Sequence, residues 1–314
     1  MILVTGGAGF IGSHLIDTLV QKGEEVVCLD SFDKFYDPEI KEKNLSGVCK
    51  KRNFILKRGD IRDEKFVKDI FNRFPIEKVV HLAARAGVRA SLKDPILYAD
   101  VNIGGTLNLL KFSQKAKIRS FILGSSSSVY GLNARVPFNE NDKLENPISP
   151  YAVSKIASEF YGRLFQQVYG LPIIILRFFT VYGPRQRPEM AIHKFTELME
   201  RGEEIPVFGE GRIERDYTYI SDIIKGILST LQKDFNLETF NLGDSRVVKL
   251  TYLISILEAA LGKKAKVKKL PEQPGDMPVT YADITSAREK LSYKPMVQIE
   301  EGIKRFVEWY RKGR

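Results

Sequence analysis

Short apolar runs that alternate with longer amphipathic stretches constrain the fold of this chain more than any other feature. Strands are predicted for the runs MILVT, EVVCLD, NFILKRGD, KVVHLAA, SFILGSS and LPIIILRF, and helices near residues 11–22, 63–73, 94–116 and 150–169. Because most of the strand runs are continuous in apolar residues, we expect them to be buried on both faces. The alternation predicts an α/β fold, a parallel sheet with helices on both sides.

The composition limits the class of protein. With 43% apolar and 28% charged residues, the 314-residue chain is typical of a soluble globular protein of one large or two modest domains. It has no run of about 18 apolar residues, so no membrane span is expected, and its start predicts a buried strand and not a signal peptide. Two cysteines, Cys28 and Cys49, are too few for a disulfide framework, so a cytoplasmic location is expected. Three histidines and two scattered cysteines predict no metal site.

The formal net charge of +10 suggests an anionic partner: nucleic acid, a membrane surface or a phosphorylated small molecule. The densest basic run is GKKAKVKK at 262–269, and it contains no aromatic residue that could stack on a base. We therefore expect a solvated surface strand or loop there and no nucleic-acid partner.

Three glycines mark the turn from the first strand into the first helix. Gly6, Gly9 and Gly12 permit a tight turn and a close approach of backbone to phosphate, and the helix N-terminus can bind a pyrophosphate. A turn that merely needs glycine is the alternative. Asp30 ends the next strand 18 residues after Gly12, where a carboxylate can accept hydrogen bonds from an adenosine ribose. The carboxylate would repel a 2′-phosphate and no arginine follows it, so NAD is predicted and not NADP.

The next two strands extend the predicted cofactor site. Asp60 ends the third strand, where it either meets the adenine edge or shares the N-cap of the following helix with Asp63. Small residues after the fourth strand would let the cofactor pass closely, whereas His81 inside that strand is expected to be a satisfied core histidine. The other residues expected at the cofactor are Phe10, Ile11, Ile61, Leu82, Ala83 and Ala84.

A run of four serines, 125–128, follows the fifth strand, at the sheet edge where open α/β sheets bind ligands. A solvated loop is the alternative. Further on, Ser149 suits a helix N-cap and Pro150 the first helical position, so Tyr151 and Lys155 fall one turn apart on one face.

Tyr151 and Lys155 together have the chemistry of an alcohol oxidation. A free phenol has a pKa near 10 and is a poor base at neutral pH. A nearby ammonium and the positive nicotinamide ring would both lower that pKa, and the lysine has donors for the nicotinamide ribose. The pair is therefore predicted to accept the proton of an alcohol that loses hydride to NAD⁺.

These glycines, serines and the Tyr151–Lys155 pair together resemble the extended short-chain dehydrogenase/reductase superfamily over essentially the whole chain. Among its NAD-dependent nucleotide-sugar epimerases, the UDP-glucuronate 4-epimerases, close relatives of the UDP-glucose 4-epimerases, are most similar in the segments SFDKFYDP (31–38), AGVRASLKDP (86–95) and RFFTVYGPRQRPEMA (177–191). The resemblance implies a Rossmann-type doubly wound parallel sheet, tightly held NAD, a UDP-sugar substrate and a homodimer built from the helices at 94–116 and 150–169. It also implies an NAD-binding domain over 1–181 and about 216–243, and a smaller C-terminal nucleotide-sugar lobe over 182–215 and 244–314.

The resemblance also assigns roles to individual residues. Ser126 matches the serine that assists the tyrosine, and Asn102 and the segment from Phe178 to Thr180 match positions at the cofactor and sugar. Arg215 and Asp276 match positions that hold the pyrophosphate and the uridine ribose. Gln273 departs from the arginine that galactose-type enzymes usually carry at a phosphate contact.

The expected reaction is inversion of carbon 4 of UDP-glucuronate through a 4-keto sugar. A 4-keto acid loses carbon dioxide readily, so its carboxylate must be held, and the candidates are Ser127, Ser128, Thr180 and Arg187, with Arg85 and Arg89 secondary. Related dehydratases and decarboxylases usually carry an acidic residue where this chain has Ser127 and Ser128. The alternatives are a UDP-glucose/UDP-galactose 4-epimerase, a UDP-glucuronate decarboxylase, a non-catalytic NAD-binding scaffold and, for Arg187 alone, a solvated surface arginine.

Overall fold

A seven-stranded parallel sheet forms the centre of the protein, for which a computed structural model describes residues 1–132, 135–271 and 277–313. The strands are β1 (Ile2–Thr5), β2 (Val26–Asp30), β3 (Phe54–Arg58), β4 (Lys78–His81), β5 (Ser120–Ser126), β6 (Ile173–Phe178), β7 (Thr180–Tyr182), β8 (Glu204–Phe208), β9 (Glu214–Tyr219), β10 (Leu237–Leu242), β11 (Val247–Lys249) and β12 (Lys266–Leu270). The order in the central sheet is β3-β2-β1-β4-β5-β6-β10, with every neighbouring pair parallel. This order reverses direction between β1 and β4, as in doubly wound dinucleotide-binding folds, and the predicted fold class is confirmed.

Helices cover both faces of this sheet. They are α1 (Phe10–Gln21), α2 (Pro38–Leu45), α3 (Glu64–Arg73), α4 (Val88–Lys93), α5 (Pro95–Ala99), α6 (Gly105–Ala116), α7 (Pro150–Tyr169), α8 (Ala191–Arg201), α9 (Ile220–Leu231), α10 (Leu250–Leu261), α11 (Thr285–Leu291) and α12 (Ile299–Lys312). A π-helical turn, Asp100–Gly104, joins α5 to α6, so the predicted helix at 94–116 is a helical segment with a wider turn inside it. The prediction missed α2, whose sequence PEIKEKNL carries little apolar periodicity.

Two apolar cores lie against opposite faces of the central sheet. Ile2 and Val4 of β1 belong to one core and Leu3 to the other, because successive side chains of a strand point to opposite faces. All residues of β1, β2 and β6 are buried. The continuous apolar runs are therefore explained by burial on both sides of the sheet.

After β6 the chain builds two smaller sheets. One has the order β11-β9-β7, and the other pairs β12 with β8. Between them α9 and β10 return to the central sheet, where β10 pairs with β6 in parallel. β7 begins just after the carboxyl end of β6, so the β11-β9-β7 sheet starts at the edge where the parallel strands end.

The basic run at 262–269 lies partly on the exposed strand β12. Four of its lysines face carboxylates: Lys263 with Glu200, Lys264 with Glu258, Lys268 with Glu204 and Lys269 with Glu210. The charge of the run is thus largely matched by neighbouring acids. Among the described residues no helix is both long enough and apolar enough to span a membrane.

Candidate active site

A cavity of about 490 Å³ opens at the carboxyl ends of β1, β4, β5 and β6. The predicted site residues that line it are Gly6, Gly9, Phe10, Ile11, Gly12, Asp30, Asp60, Ile61, Leu82, Ala83, Ala84, Ser126, Ser127, Ser128, Tyr151, Lys155, Phe178, Thr180, Arg187 and Arg215. The cavity lies where the strand order reverses, the position at which open α/β sheets bind their ligands.

The glycine turn after β1 forms the floor of this cavity. Gly6 has a φ of +66°, and a Cβ there would lie 2.7 Å from the backbone nitrogen of Ala83. A Cβ on Gly12 would lie 2.3 Å from the carbonyl oxygen of Gly6. Glycine is therefore required at both positions, and the N-terminus of α1 faces the space that a pyrophosphate would occupy.

Asp30 is buried beside this turn and has a partner that the sequence did not predict. Its Oδ2 accepts from the backbone N–H of Ala8 at 3.1 Å, and its Oδ1 accepts from that of Phe32 at 2.8 Å and from Lys41 Nζ at 2.9 Å. Oδ2 keeps acceptor capacity for a ribose hydroxyl, so the residue fits the adenosine half of NAD. Lys41 lies on α2, the helix that the periodicity did not reveal.

We expect Asp30→Asn to narrow the preference for NAD over NADP at least about tenfold, since like charges placed together cost several kcal/mol. The substitution removes the carboxylate that would face a 2′-phosphate and keeps the Lys41 ammonium beside it. Titration of cofactor-free protein with NAD and with NADP measures the change. Lys41→Met in the wild-type protein is the opposite test: it removes the ammonium and should make NADP binding weaker than in wild type. An unchanged NADP/NAD ratio in Asp30→Asn would contradict the prediction.

Asp60 lines the cavity, but its carboxylate is already engaged. It accepts from the backbone N–H of Arg62 at 2.8 Å and pairs with the Arg62 guanidinium at 2.7 Å. Burial favours the neutral acid, yet the hydrogen bonds from Arg62 outweigh it and lower the pKa of Asp60. The N-cap of α3 is Asp63, which accepts from the N–H of Phe66 at 3.0 Å. A role of Asp60 at the adenine therefore stays a prediction.

Tyr151 and Lys155 lie in the first two turns of α7, which begins as predicted. Ser149 Oγ accepts from the N–H of Ala152 at 3.1 Å, and Pro150 is the first helical residue. Lys155 is buried, and its ammonium donates to the carbonyl oxygen of Gly124 at 2.7 Å. Burial lowers the pKa of Lys155 to about 8, against the opposite effect of Glu159.

A lowering of the Tyr151 pKa by Lys155 together with the nicotinamide ring stays a prediction. Burial raises the pKa of Tyr151, and the opposing contributions come from a hydrogen bond with the Ser126 side chain and from the Arg187 guanidinium. Lys155 is directed to the Gly124 carbonyl instead. Ser126, which the resemblance gives as the serine that assists the tyrosine, has the direct hydrogen bond with the phenol.

The serine run is ordered by its own hydrogen bonds. Ser126 Oγ accepts from the backbone N–H of Ser128 at 3.2 Å and from Ser128 Oγ at 2.9 Å. Its own proton is then available to the Tyr151 oxygen, which is why it favours the phenolate. Ser127 and Ser128 begin a 3₁₀ turn at the cavity wall. The run therefore places the hydroxyl groups of Ser126, Ser127 and Ser128 at the cavity.

Behind these serines lies a buried ion pair that the sequence analysis missed. Glu159 accepts from Ser125 Oγ at 2.5 Å and pairs with the Arg177 guanidinium at 2.7 Å and 3.0 Å. Arg177 also donates to Tyr130 Oη at 3.0 Å, and that hydroxyl donates to Asn241 Oδ1 at 2.6 Å. The network joins α7, β5 and β6 behind the site. A lone arginine in the run IIILRF was the signal that could have revealed it.

Two predicted site residues do not line the cavity. Asn102 is buried and holds the segment after β4, since its Oδ1 accepts from the N–H of Arg85 at 2.8 Å and its Nδ2 donates to the Arg85 carbonyl at 3.0 Å. Its amide thus positions backbone beside the cavity, and its predicted contact with the cofactor stays a prediction. The Arg89 guanidinium lies 4.2 Å from the centre of the Phe208 ring, and its predicted contact with the substrate stays a prediction. Asp276 and Gln273 lie outside the described residues.

The remaining arginines surround the outer part of the cavity. Arg187 pairs with Glu189 at 3.2 Å, and its guanidinium lies 6.0 Å from the centre of the Phe35 ring. Arg85 lies 5.1 Å from the same ring and pairs with Asp33 at 3.1 Å. Arg215 lines the cavity from β9. Arg85, Arg187 and Arg215 thus line the cavity, the first two beside a carboxylate partner.

His81 is a core histidine, as predicted. Nδ1 lies 2.7 Å from Thr5 Oγ1, Nε2 lies 2.9 Å from Thr106 Oγ1, and burial lowers its pKa to about 3. Over the described ranges, no group of three or more His, Cys, Asp and Glu side chains is arranged to hold a metal ion.

Known proteins share this architecture over nearly the full chain. The family model described as GDP-mannose 4,6 dehydratase matches residues 3–306. A UDP-glucuronate 4-epimerase of Thermodesulfobacterium geofontis is 41% identical over 99% of this chain and 96% of its own. The Bacillus cereus UDP-glucuronic acid 4-epimerase, solved with UDP-glucuronic acid and NAD, is 36% identical with a TM-score of 0.94, over 100% of this chain and 99% of that one. The Thermotoga maritima UDP-glucose 4-epimerase, solved with UDP-glucose, is 38% identical with a TM-score of 0.92, over 99% of both chains. The chain belongs to the GDP-mannose 4,6 dehydratase family of extended short-chain dehydrogenases/reductases.

Proposed function

We propose that the chain interconverts UDP-glucuronate and UDP-galacturonate by NAD-dependent inversion of carbon 4. One observation carries the proposal: the Tyr151 phenol, the Ser126 hydroxyl and the Arg187 guanidinium line one cavity with the glycine turn. The phenol and hydroxyl are the acid–base groups that an alcohol oxidation requires, and the guanidinium is a counterion for an acidic sugar. The Thermodesulfobacterium and Bacillus relatives, both named UDP-glucuronate 4-epimerases, support the same assignment.

Tyr151 is the group that handles the proton of the 4-hydroxyl. Bound NAD would accept hydride from carbon 4 and return it to the opposite face of the sugar. Burial raises the pKa of Tyr151 against the effect of the Ser126 hydrogen bond. The positive nicotinamide ring of bound NAD⁺ would lower it, so that Tyr151 would take the hydroxyl proton as the 4-keto sugar forms. The keto sugar turns about its pyrophosphate, and Tyr151 returns the proton when the other face is reduced. The net change is inversion of one carbon without consumption of cofactor.

The sugar carboxylate must be held away from the geometry that expels carbon dioxide. A 4-keto sugar with a carboxylate on the neighbouring carbon decarboxylates when that bond aligns with the carbonyl π-system. Ser127, Ser128 and Thr180 provide hydroxyl donors on one wall of the cavity, and Arg187 provides a guanidinium. We assign these four side chains to the carboxylate.

The competing activities differ in what they require of the same wall. A UDP-glucose epimerase would need only small groups near the hydroxymethyl group of its sugar. This remains the second candidate function because the Thermotoga relative is named UDP-glucose 4-epimerase. Decarboxylation or dehydration would be served by a carboxyl acid beside Ser126, where the chain has Ser127 and Ser128. A non-catalytic NAD-binding scaffold would have no use for the intact Tyr151–Lys155–Ser126 group.

We expect the purified protein to convert UDP-glucuronate to UDP-galacturonate without net consumption of NAD and without forming a pentose product. Proton NMR of the anomeric signals over time distinguishes substrate, product and pentose. UDP-glucose, incubated separately, is the matched control because it lacks only the carboxylate. Conversion of UDP-glucose alone would move the protein to the neutral-sugar alternative, and a pentose product would identify a decarboxylase.

The two long helices also support an assembly proposal. The side chains of α7 that form an exposed apolar stripe at helical spacing are Val153, Phe160, Tyr161, Leu164 and Val168. Ile96 of α5, 80% exposed, adds to apolar surface on an element that contacts α7. Stripes of this kind mark protein–protein contacts, and we propose a homodimer in which α7 and the α5–α6 segment of one subunit pack against those of the other.

We expect the double substitution Phe160→Glu and Leu164→Glu to convert a dimer into a monomer, because it places charge in the centre of an apolar contact. Light scattering after gel filtration measures the mass. Met296→Glu, at a position 69% exposed and outside the helices concerned, is the control and should leave the mass unchanged. A double variant that keeps the wild-type mass contradicts this interface.

Two further proposals concern the cellular location of the protein and its division into domains. The cysteines are unpaired, with Cys28 buried and Cys49 exposed, which supports a reducing cytoplasm. The return of α9 and β10 to the central sheet supports an NAD-binding domain over 1–181 and about 216–243, with the UDP-sugar held by 182–215 and 244–314.

A further inference from the structure

The segment 183–190, between β7 and α8, carries Arg187 into the cavity. Nothing in the reaction chemistry explains how a loop rich in proline and arginine holds a guanidinium in one place. Contacts on both sides of Arg187 hold the segment, and those before it come from α1, the helix that follows the glycine turn.

Two side chains of α1 hold the first half of this segment. His14 Nε2 donates to the carbonyl oxygen of Pro184 at 2.9 Å, and Asp17 pairs with the Arg185 guanidinium at 2.7 Å. Burial lowers the pKa of His14 to about 4, so the ring is neutral at physiological pH and its N–H is on the nitrogen that faces Pro184. Both partners of the ion pair are only 25% exposed. α1 therefore contacts the segment with one hydrogen bond and one partly buried ion pair.

The backbone of the segment has an uncommon conformation at Arg185. Arg185 has a φ of +65°, in the left-handed region that residues other than glycine, asparagine and aspartate seldom adopt. Such a conformation persists when surrounding contacts determine it. The N–H of Gln186 donates to the Gly183 carbonyl at 3.1 Å and closes a turn around Arg185. The Asp17 carboxylate pairs with the Arg185 side chain two residues before Arg187.

The second half of the segment is fixed from the opposite side. Gln186 is buried, and its side-chain Nε2 donates to the Val181 carbonyl at 3.1 Å. The backbone carbonyl of Gln186 accepts from His193 Nδ1. The N–H of Met190 donates to the Arg187 carbonyl at 3.1 Å. The backbone is thus anchored before and after Arg187, so the guanidinium starts from a fixed point.

We infer that the Asp17–Arg185 pair and His14 position Arg187 to bind the carboxylate of the sugar. Asp17 and His14 lie on α1, the helix whose N-terminus faces the pyrophosphate of the cofactor. This inference rests on the proposed function. Asp17, His14 and Arg185 are positioning residues: they act through the backbone of 183–190 and not on the substrate. One helix then supports both ligand sites, with its N-terminus at the cofactor and its second and third turns at the sugar loop.

The test compares Asp17→Asn and Arg185→Asn, the latter because asparagine tolerates the left-handed conformation. We expect each to lower kcat/KM for UDP-glucuronate about tenfold, as misplacement by a fraction of an ångström does. We also expect a pentose by-product absent from wild type, with binding of UDP-glucose within about twofold of wild type because the loop faces the carboxylate. Amide exchange should become faster in 183–190. Asp69→Asn, which breaks the exposed Asp69–Arg73 pair, is the matched control.

Rescue and benchmark variants separate the possible failures. The charge-reversed pair Asp17→Arg with Arg185→Asp should recover kcat/KM and suppress the pentose, which a general loss of stability would not do. If Arg187→Ala impairs UDP-glucuronate turnover while Asp17→Asn and Arg185→Asn behave like wild type in turnover, by-product and exchange, the positioning inference is overturned and the proposed function stands. If wild type does not act on UDP-glucuronate, the proposed function fails and the inference about the carboxylate fails with it.

Discussion

Tyr151→Phe is expected to lower the kcat of sugar epimerisation by about 10²–10⁴-fold, the usual contribution of a positioned acid–base group. Only the hydroxyl group of the ring is removed, and the ring keeps its edge contact with Tyr98 at 6.3 Å between ring centres. Ser126 loses its partner on the phenol oxygen, but the glycine turn and Asp30 are untouched. NAD binding should therefore be retained. Anomeric NMR gives the rate, and cofactor content after denaturation gives the retention.

Tyr161→Phe is the matched control for this substitution. Tyr161 lies on the same helix, is 37% exposed and does not line the cavity, so its variant should keep the wild-type rate. A Tyr151→Phe protein that retains NAD and also retains activity would remove the phenol from the mechanism. Retention of a cellular function without catalysis would favour the NAD-binding scaffold.

Glu159→Ala is expected to destabilise the protein by about 3–5 kcal/mol, the cost of leaving one partner of a buried ion pair unpaired. Glu159 and Arg177 are each 1% exposed, so neither water nor salt can replace the lost partner. Ser125 and the Arg177 guanidinium both lose the carboxylate that they share. Urea unfolding, monitored with NAD absent from both proteins, measures the difference in the free energy of unfolding.

The control is Asp69→Ala, which breaks an ion pair whose side chains are 64% and 45% exposed. An exposed pair of this kind contributes at most about 1 kcal/mol. The double substitution Glu159→Ala with Arg177→Met should recover part of the loss, because it removes the unpaired cation as well. If Glu159→Ala costs no more than Asp69→Ala, the buried pair does not stabilise the sheet behind the serines.

The local features of the site were readable because each depends on neighbours in the chain. Gly6 and Gly12 lie at a strand-to-helix turn whose backbone excludes a Cβ, and this needs only the order of strand, turn and helix. The start of α7 follows from Ser149 and Pro150 in the same way, and the i, i+4 spacing of Tyr151 and Lys155 follows from the helix. Carboxyl ends of parallel strands meet at one edge, so Asp30 and the serines could be expected together.

Contacts between distant segments could not be read in this way. Lys41 reaches Asp30 from α2, Arg177 reaches Glu159 from β6, and Asn102 turns to the backbone of Arg85. Each contact joins elements whose mutual position depends on packing of the whole sheet. The same applies to the pKa of Tyr151, which burial raises although the adjacent lysine suggested the reverse.

The sequence by itself determined the parallel sheet, the glycine turn, the catalytic helix and the family resemblance, because periodicity, capping and turn chemistry act over a few residues. Only the tertiary structure decided which partner each buried charge finds. Lys155 donates to the Gly124 carbonyl, Arg177 pairs with Glu159, and Asp17 of α1 pairs with Arg185 in the loop of Arg187. The physical reason is that a buried charge takes the partner that the packed elements bring within hydrogen-bond distance, and separation along the chain does not encode that distance.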